Sequence, residues 1–147
     1  MDSIETLRSE HVGIGLMANS LATLAKGPIP SDCLELFRAR GDLRRALLSH
    51  LSREDWVVYP RMLASNRPEV RALATRLAAG AAAFTSAFQA YSRRWTTPSI
   101  TADWEGFRDE TLAMLAALKR RISCEDDELY ALVEGPDGNT LGKLHFA

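Results

Sequence analysis

The sequence predicts an all-α fold, an antiparallel up-down-up-down four-helix bundle. Three observations predict it: apolar residues recur three and four apart along four long segments, Gly and Pro clusters separate those segments, and strand-like alternation is absent. At 147 residues, 46% hydrophobic and 25% charged, the chain has the balance of one globular unit. The bundle is expected over residues 1–134, followed by a polar tail over 135–147.

Ser3 is placed to cap a first helix from about Ile4 to Lys26, which stops at Gly27-Pro28. Its apolar row is Ile4, Leu7, His11, Ile14, Ala18 and Leu21, so a histidine stands where the core is expected. Ser31 with Asp32 opens a second helix reaching about Leu63, whose row is Leu36, Leu43, Leu47, His50, Glu54 and Val57. Pro60 has no amide to give the carbonyl of Trp56, so a kink or loosened turn is expected just beyond Glu54.

Asn66-Arg67-Pro68 marks the next boundary, and the third helix carries Val70, Leu73, Leu77, Ala81, Phe84, Phe88, Tyr91 and Trp95. Its middle, Ala79-Gly80-Ala81-Ala82-Ala83, leaves room opposite the polar groups of the other helices, for close packing or for a cavity. Thr101 is placed to cap the fourth helix, with Asp103 and Glu105 in its first turn and Gly135-Pro136 at its end. The row there is Trp104, Phe107, Thr111, Met114, Leu118, Ile122, Glu125, Leu129 and Leu132. His145, in the tail, has no evident partners.

Four polar residues thus interrupt the apolar seam: His11, His50, Glu54 and Glu125. His50 and Glu54, four apart, share a helix face and can reach one ion. His11 lies near the start of its helix, and His50, Glu54 and Glu125 lie near the ends of theirs, so up-down packing brings all four to one level. Burying them unpaired costs several kcal/mol, which a cation or a hydrogen-bond network offsets.

A net charge of −1 argues against nucleic acid or an anionic membrane as the main partner. No apolar stretch approaches the roughly 20 residues of a bilayer span, and the N-terminal segment lacks the regions of a signal peptide, so a cytoplasmic protein is expected. Cys33 and Cys124 read as reduced thiols. The basic clusters Arg38, Arg40, Arg44, Arg45 and Lys119, Arg120 read as solvated faces with acids interleaved. Gly13-Ile14-Gly15-Leu16-Met17-Ala18 imitates a dinucleotide fingerprint, but no strand precedes it.

The run His50-Leu51-Ser52-Arg53-Glu54-Asp55-Trp56-Val57-Val58-Tyr59-Pro60 resembles the HxxxE(E/D)xxxYP signature of the hemerythrin-like, HHE cation-binding family. Arg121-Ile122-Ser123-Cys124-Glu125-Asp126-Asp127-Glu128-Leu129-Tyr130 resembles its HIxxEExxLY segment, and Ser9-Glu10-His11 falls in the first helix, so that the resemblance spans about Ile4 to Glu134. It implies a bundle that in typical members holds a non-haem di-iron centre for oxygen binding or for sensing iron, oxygen or redox state. His11, His50, Glu54 and Glu125 match ligand positions. Arg121 stands where the fourth helix would supply a histidine, and the third helix has none, so a full di-iron site cannot form.

One ion, or none, is the expected occupancy: iron, or less favourably zinc or manganese. The Arg121 charge equally suits replacement of the metal by pairing with Glu54 and Glu125. The expected function is a regulatory or sensory module with an incomplete metal site, neither an oxygen carrier nor an enzyme. Two alternatives stand beside it: an intact iron-binding protein responsive to oxygen, redox state or iron, and a metal-free helical domain that binds an unknown protein partner. A ferritin-like metalloenzyme needs Glu-x-x-His motifs that are absent.

Overall fold

The computed structural model describes residues 4–133. Among them the chain is helical, with no strand: α1 (Ile4–Lys26), α2 (Leu34–Arg53), a π-helical turn (Glu54–Val58), α3 (Tyr59–Leu63), α4 (Pro68–Arg94), α5 (Thr97–Ala102) and α6 (Trp104–Val133). Where four helices were expected there are six α segments, because the second is interrupted by the π turn and a short helix precedes the last. Ser3, Gly135-Pro136, the 134/135 boundary, the tail and His145 lie outside the described residues.

The partner residues show which helices run against each other. Along α1 and α6, His11 meets Asp126, Asn19 meets Lys119, and the Arg108 Nε–H and Trp104 Nε1–H donate to the carbonyls of Ala25 and Gly27 at 3.1 Å. Numbers that rise on one helix fall on the other, so the two are antiparallel. On α4 and α6, Arg76 meets Glu128, Tyr91 meets Thr111 at 2.6 Å, and Arg94 meets Glu110, again antiparallel. The core between them holds Leu7, Leu21, Leu43, Leu47, Met62, Val70, Phe107 and Leu118, all fully buried. Phe107 has Trp95 and Trp104 against it, with ring centroids 5.7 and 5.4 Å away.

The loosened turn predicted from Pro60 is the π turn. The Tyr59 amide donates to the Glu54 carbonyl, a five-residue step, next to the proline that has no amide to offer. The wider turn adds a residue to the period, so Val58, and not the expected Val57, is buried. It also brings Tyr59 over Glu54: residues five apart face away from each other on an α-helix of 3.6 residues per turn, but share a face across a π turn.

Three smaller expectations need correction. Helix α2 begins at Leu34 after Cys33, and it is Asp32 Oδ1 that accepts from the Leu34 amide, at 3.0 Å. Thr101 does not cap the last helix. It sits inside α5, which Thr96 caps reciprocally with Ser99, and it donates only back to the Thr97 carbonyl. Asp103 is the cap of α6, its Oδ1 accepting from the Gly106 amide at 2.9 Å. Finally, Arg40 is not on a solvated face: its guanidinium donates to the Trp95 carbonyl at 2.9 Å and lies over the Tyr91 and Phe107 rings. Cys33 and Cys124 are free thiols, as expected.

Among the described residues no helix is long and apolar enough to cross a membrane. The capping correction carries a test by urea denaturation. Asp103→Ala is expected to cost about 1 kcal/mol, and Thr101→Ala to stay within about 0.5 kcal/mol. The reverse order would restore the sequence-based boundary.

Candidate metal centre

All four seam residues converge. His11 comes from α1, His50 from the last turn of α2, Glu54 from the first residue of the π turn and Glu125 from α6; each offers one ligand atom, and these atoms lie within 4.8 Å of one another. All four side chains are buried. His11 Nε2 stands 3.0 Å from His50 Nε2 and 3.3 Å from Glu125 Oε1, and His50 Nε2 stands 3.2 Å from Glu54 Oε1.

The far side of each imidazole decides what the near side offers. His11 Nδ1–H donates to Asp126 Oδ1 at 2.7 Å and His50 Nδ1–H to Glu10 Oε1 at 2.9 Å. A carboxylate only accepts, so each ring holds its proton on Nδ1 and turns the Nε2 lone pair inward. Two such lone pairs and two carboxylate oxygens then face one another, an arrangement that repels itself unless positive charge sits in the middle. Glu125 Oε1 makes the same point from another direction, since it is buried and without a hydrogen-bond partner. Around these atoms lies a space of about 10 Å³, bounded also by Ile14, Leu47 and Phe84, which is room for one water-sized particle. Donor set, orphaned oxygen and space all fit a single cation.

In the metal-free chain, protons supply that charge. Burial opposes charging His11, but Glu125 and Asp126 outweigh it and hold its pKa at about 9. Burial likewise opposes, and Glu54 and Glu10 overcome it, at His50, whose pKa is also raised. Burial and the Glu54 charge push Glu125 up to about 7 against the pull of His11, whereas His50, Glu125 and Tyr59 bring Glu54 down to about 2 despite its burial. The two glutamates thus divide one proton unequally.

The outer layer holds the inner one in place. Tyr59, its phenol pushed far above its ordinary range by burial and by the Glu54 and Glu125 charges, remains a donor and gives its proton to Glu54 Oε2 at 3.0 Å. Arg121 donates to the Tyr59 oxygen and to the Leu77 carbonyl, both at 3.2 Å, and lies 3.5 Å from Glu125 Oε2. Arg53 pairs with Glu10 at 2.7 Å. The room foreseen in the middle of α4 is taken by this arginine: a Cβ on Gly80 would stand 2.7 Å from Arg121 Nη1, and nothing but Arg121 lies within 4 Å of it. Phe84, also on α4, lines the same space.

Glu10, Asp126 and Tyr59 are not among the ligand residues expected from the sequence. Glu10 and Asp126 adjoin His11 and Glu125, which is a signal of sorts, but each serves a histidine of a different helix.

A helical protein with a buried centre of two histidines and two glutamates is the class that this fold and site define. The family model of the hemerythrin HHE cation binding domain matches residues 2–133. The chain belongs to that family. Searches of curated proteins and of solved structures gave no match.

Two substitutions test the Arg121 seat by thermal denaturation. In the parent, Gly80→Ala is expected to destabilise by roughly 1 kcal/mol or more, because the new methyl unseats the guanidinium and its hydrogen bonds. In an Arg121→Ala background the same change should stabilise by about 0.5–1 kcal/mol, since alanine is the better helix former and meets nothing there. Equal effects in both backgrounds would show that the notch does not hold Arg121.

Proposed function

We propose that this chain is a regulatory or sensory hemerythrin-like module whose centre takes one divalent ion on His11, His50, Glu54 and Glu125, with iron the first choice and zinc or manganese the less favoured ones. One observation carries the reading: four inward-facing acceptors surround a space that fits one ion, with the histidine tautomers set by Glu10 and Asp126. Two imidazoles and two carboxylates suit iron, zinc and manganese alike.

Charge supports the count. Among the described residues, the cluster and the charged side chains bonded to it include four carboxyl groups (Glu10, Glu54, Glu125, Asp126) and two guanidiniums (Arg53, Arg121). One divalent cation cancels the difference, and a second would leave an uncompensated positive charge in a dry interior. With Arg121 on the α6 side and Phe84 on α4, a second ion has neither ligands nor space, so the module is neither a two-iron oxygen carrier nor an enzyme of that type. A second reading, a metal-free domain held by the proton and Arg121 network, is favoured by the contacts of Arg121 with Tyr59 and Glu125.

A bound iron would supply a change of charge at the centre on oxidation, reduction or loss. The chain's own groups would convert that change into shape. Glu54 both faces the ion and opens the π turn, and Tyr59, at the far end of the same turn, hydrogen-bonds it. Trp56, inside that turn, is 81% exposed and available to a protein partner. The antiparallel pairs are those of an up-down-up-down bundle with an interrupted second helix. The bundle over 1–134, the separate tail over 135–147 and the cytoplasmic setting belong to the same reading.

The test is uptake by protein stripped with a chelator and titrated with ferrous iron without oxygen. One equivalent is expected, with a stability gain of about 4 kcal/mol when free ion stands a thousandfold above its Kd. His11→Ala and Glu54→Ala should abolish both the uptake and the gain. The Glu10→Gln, Asp126→Asn pair should weaken binding about 10–100-fold while leaving the fold intact. No uptake would favour the metal-free reading, and two equivalents would restore the di-iron alternative.

A further inference from the structure

Helices α2 and α4 are the flanking pair without extensive contact along their length, and a groove runs between them outside the metal centre. Its volume is about 390 Å³, and it continues into a second hollow of about 410 Å³ through the shared residues Arg44, Leu48, Phe88 and Ser92. The floor is apolar, made by Leu43, Leu48, Phe88 and Met114, and Phe37 stands at the mouth with 68% of its surface exposed.

The charges are one-sided. Arg40, Arg44, Arg45 and Arg93 line the two hollows and no aspartate or glutamate does, in a chain whose acids outnumber its Lys and Arg residues. Arg45 pairs with Asp42 on the outer surface, and Arg40 is held by the Trp95 carbonyl. Arg44 and Arg93, facing across the groove from α2 and α4, have no ion-pair partner among the described residues. The basic face read from the sequence, on which Arg44 and Arg45 are exposed and Arg45 pairs with Asp42, thus also borders an apolar trough.

We propose that this groove binds a small anionic amphiphile, with one carboxylate between Arg44 and Arg93 and an apolar body along Leu48 and Phe88. Guanidinium forks match a carboxylate with two parallel hydrogen bonds. The volume lies within the range of small-molecule sites, about 300–1,000 Å³. It is too small for a partner's helix, which with side chains is about 10–12 Å across, beyond roughly one turn. The site is independent of the ion proposed above: none of the four ligands lines it.

Isothermal titration of the full chain with decanoate tests it, beside decanol and decyltrimethylammonium. Saturable one-to-one binding of decanoate is expected, at least tenfold tighter than of the other two. Arg44→Glu with Arg93→Glu should weaken it tenfold or more, and Ser92→Trp, which fills the shared neck from a half-buried position, should abolish it while ferrous uptake is unchanged. No saturable binding, equal binding of all three compounds, or binding that survives both variants would overturn the proposal. So would sedimentation showing a dimer that Ser92→Trp turns into a monomer, since the groove would then be occupied by a second copy.

Discussion

Two imidazole nitrogens, His11 Nε2 and His50 Nε2, stand 3.0 Å apart in a closed interior, and that approach is tolerable only with positive charge beside it. Ionised carboxylates on the far side of each ring keep the Nδ1 protons in place, so the lone pairs cannot turn away by a change of tautomer. The demand for positive charge is therefore built by three helices together: Glu10 on α1 orients the histidine of α2, and Asp126 on α6 orients the histidine of α1. Cross-bracing of this kind adds to the apolar layers in fixing the level of each helix against its neighbour.

The interior around this pair already carries a fixed charge. Arg121 brings a permanent cation to within 3.5 Å of Glu125, seated in a notch that only a glycine at position 80 leaves open. Tyr59 links that guanidinium to Glu54 through one phenol, accepting from Arg121 and donating to the carboxylate. Arg121 thus places a permanent positive charge beside Glu125 and Tyr59.

Much of the frame was legible in the sequence because it depends on periodicity. The spacing of Leu7, His11, Ile14 and Ala18, or of Leu118, Ile122, Glu125 and Leu129, reports helix faces directly, and His11, His50, Glu54 and Glu125 came from the same rows. Pro60 announced the disturbed turn through its missing amide. The rest depended on contacts between elements. Asp126 and Glu10 carried no expectation of their own, since their partners lie 115 and 40 residues away. Tyr59 could not be placed over Glu54 on an α-helical count, and Val57 was assigned to the seam for the same reason, because the π turn shifts the period by one residue. Thr101 looked like a cap because hydroxyl and carboxylate caps compete locally, and only the packed chain shows that Asp103 ends the short helix and starts the long one.

Anomalous diffraction at the iron edge, from crystals of the full chain grown after ferrous loading, addresses the central claim most directly. A single peak at the point shared by His11 Nε2, His50 Nε2, Glu54 and Glu125 is the outcome that convergent lone pairs require. Absence of any peak there, or a pair of peaks with one on the Arg121 side, would contradict it.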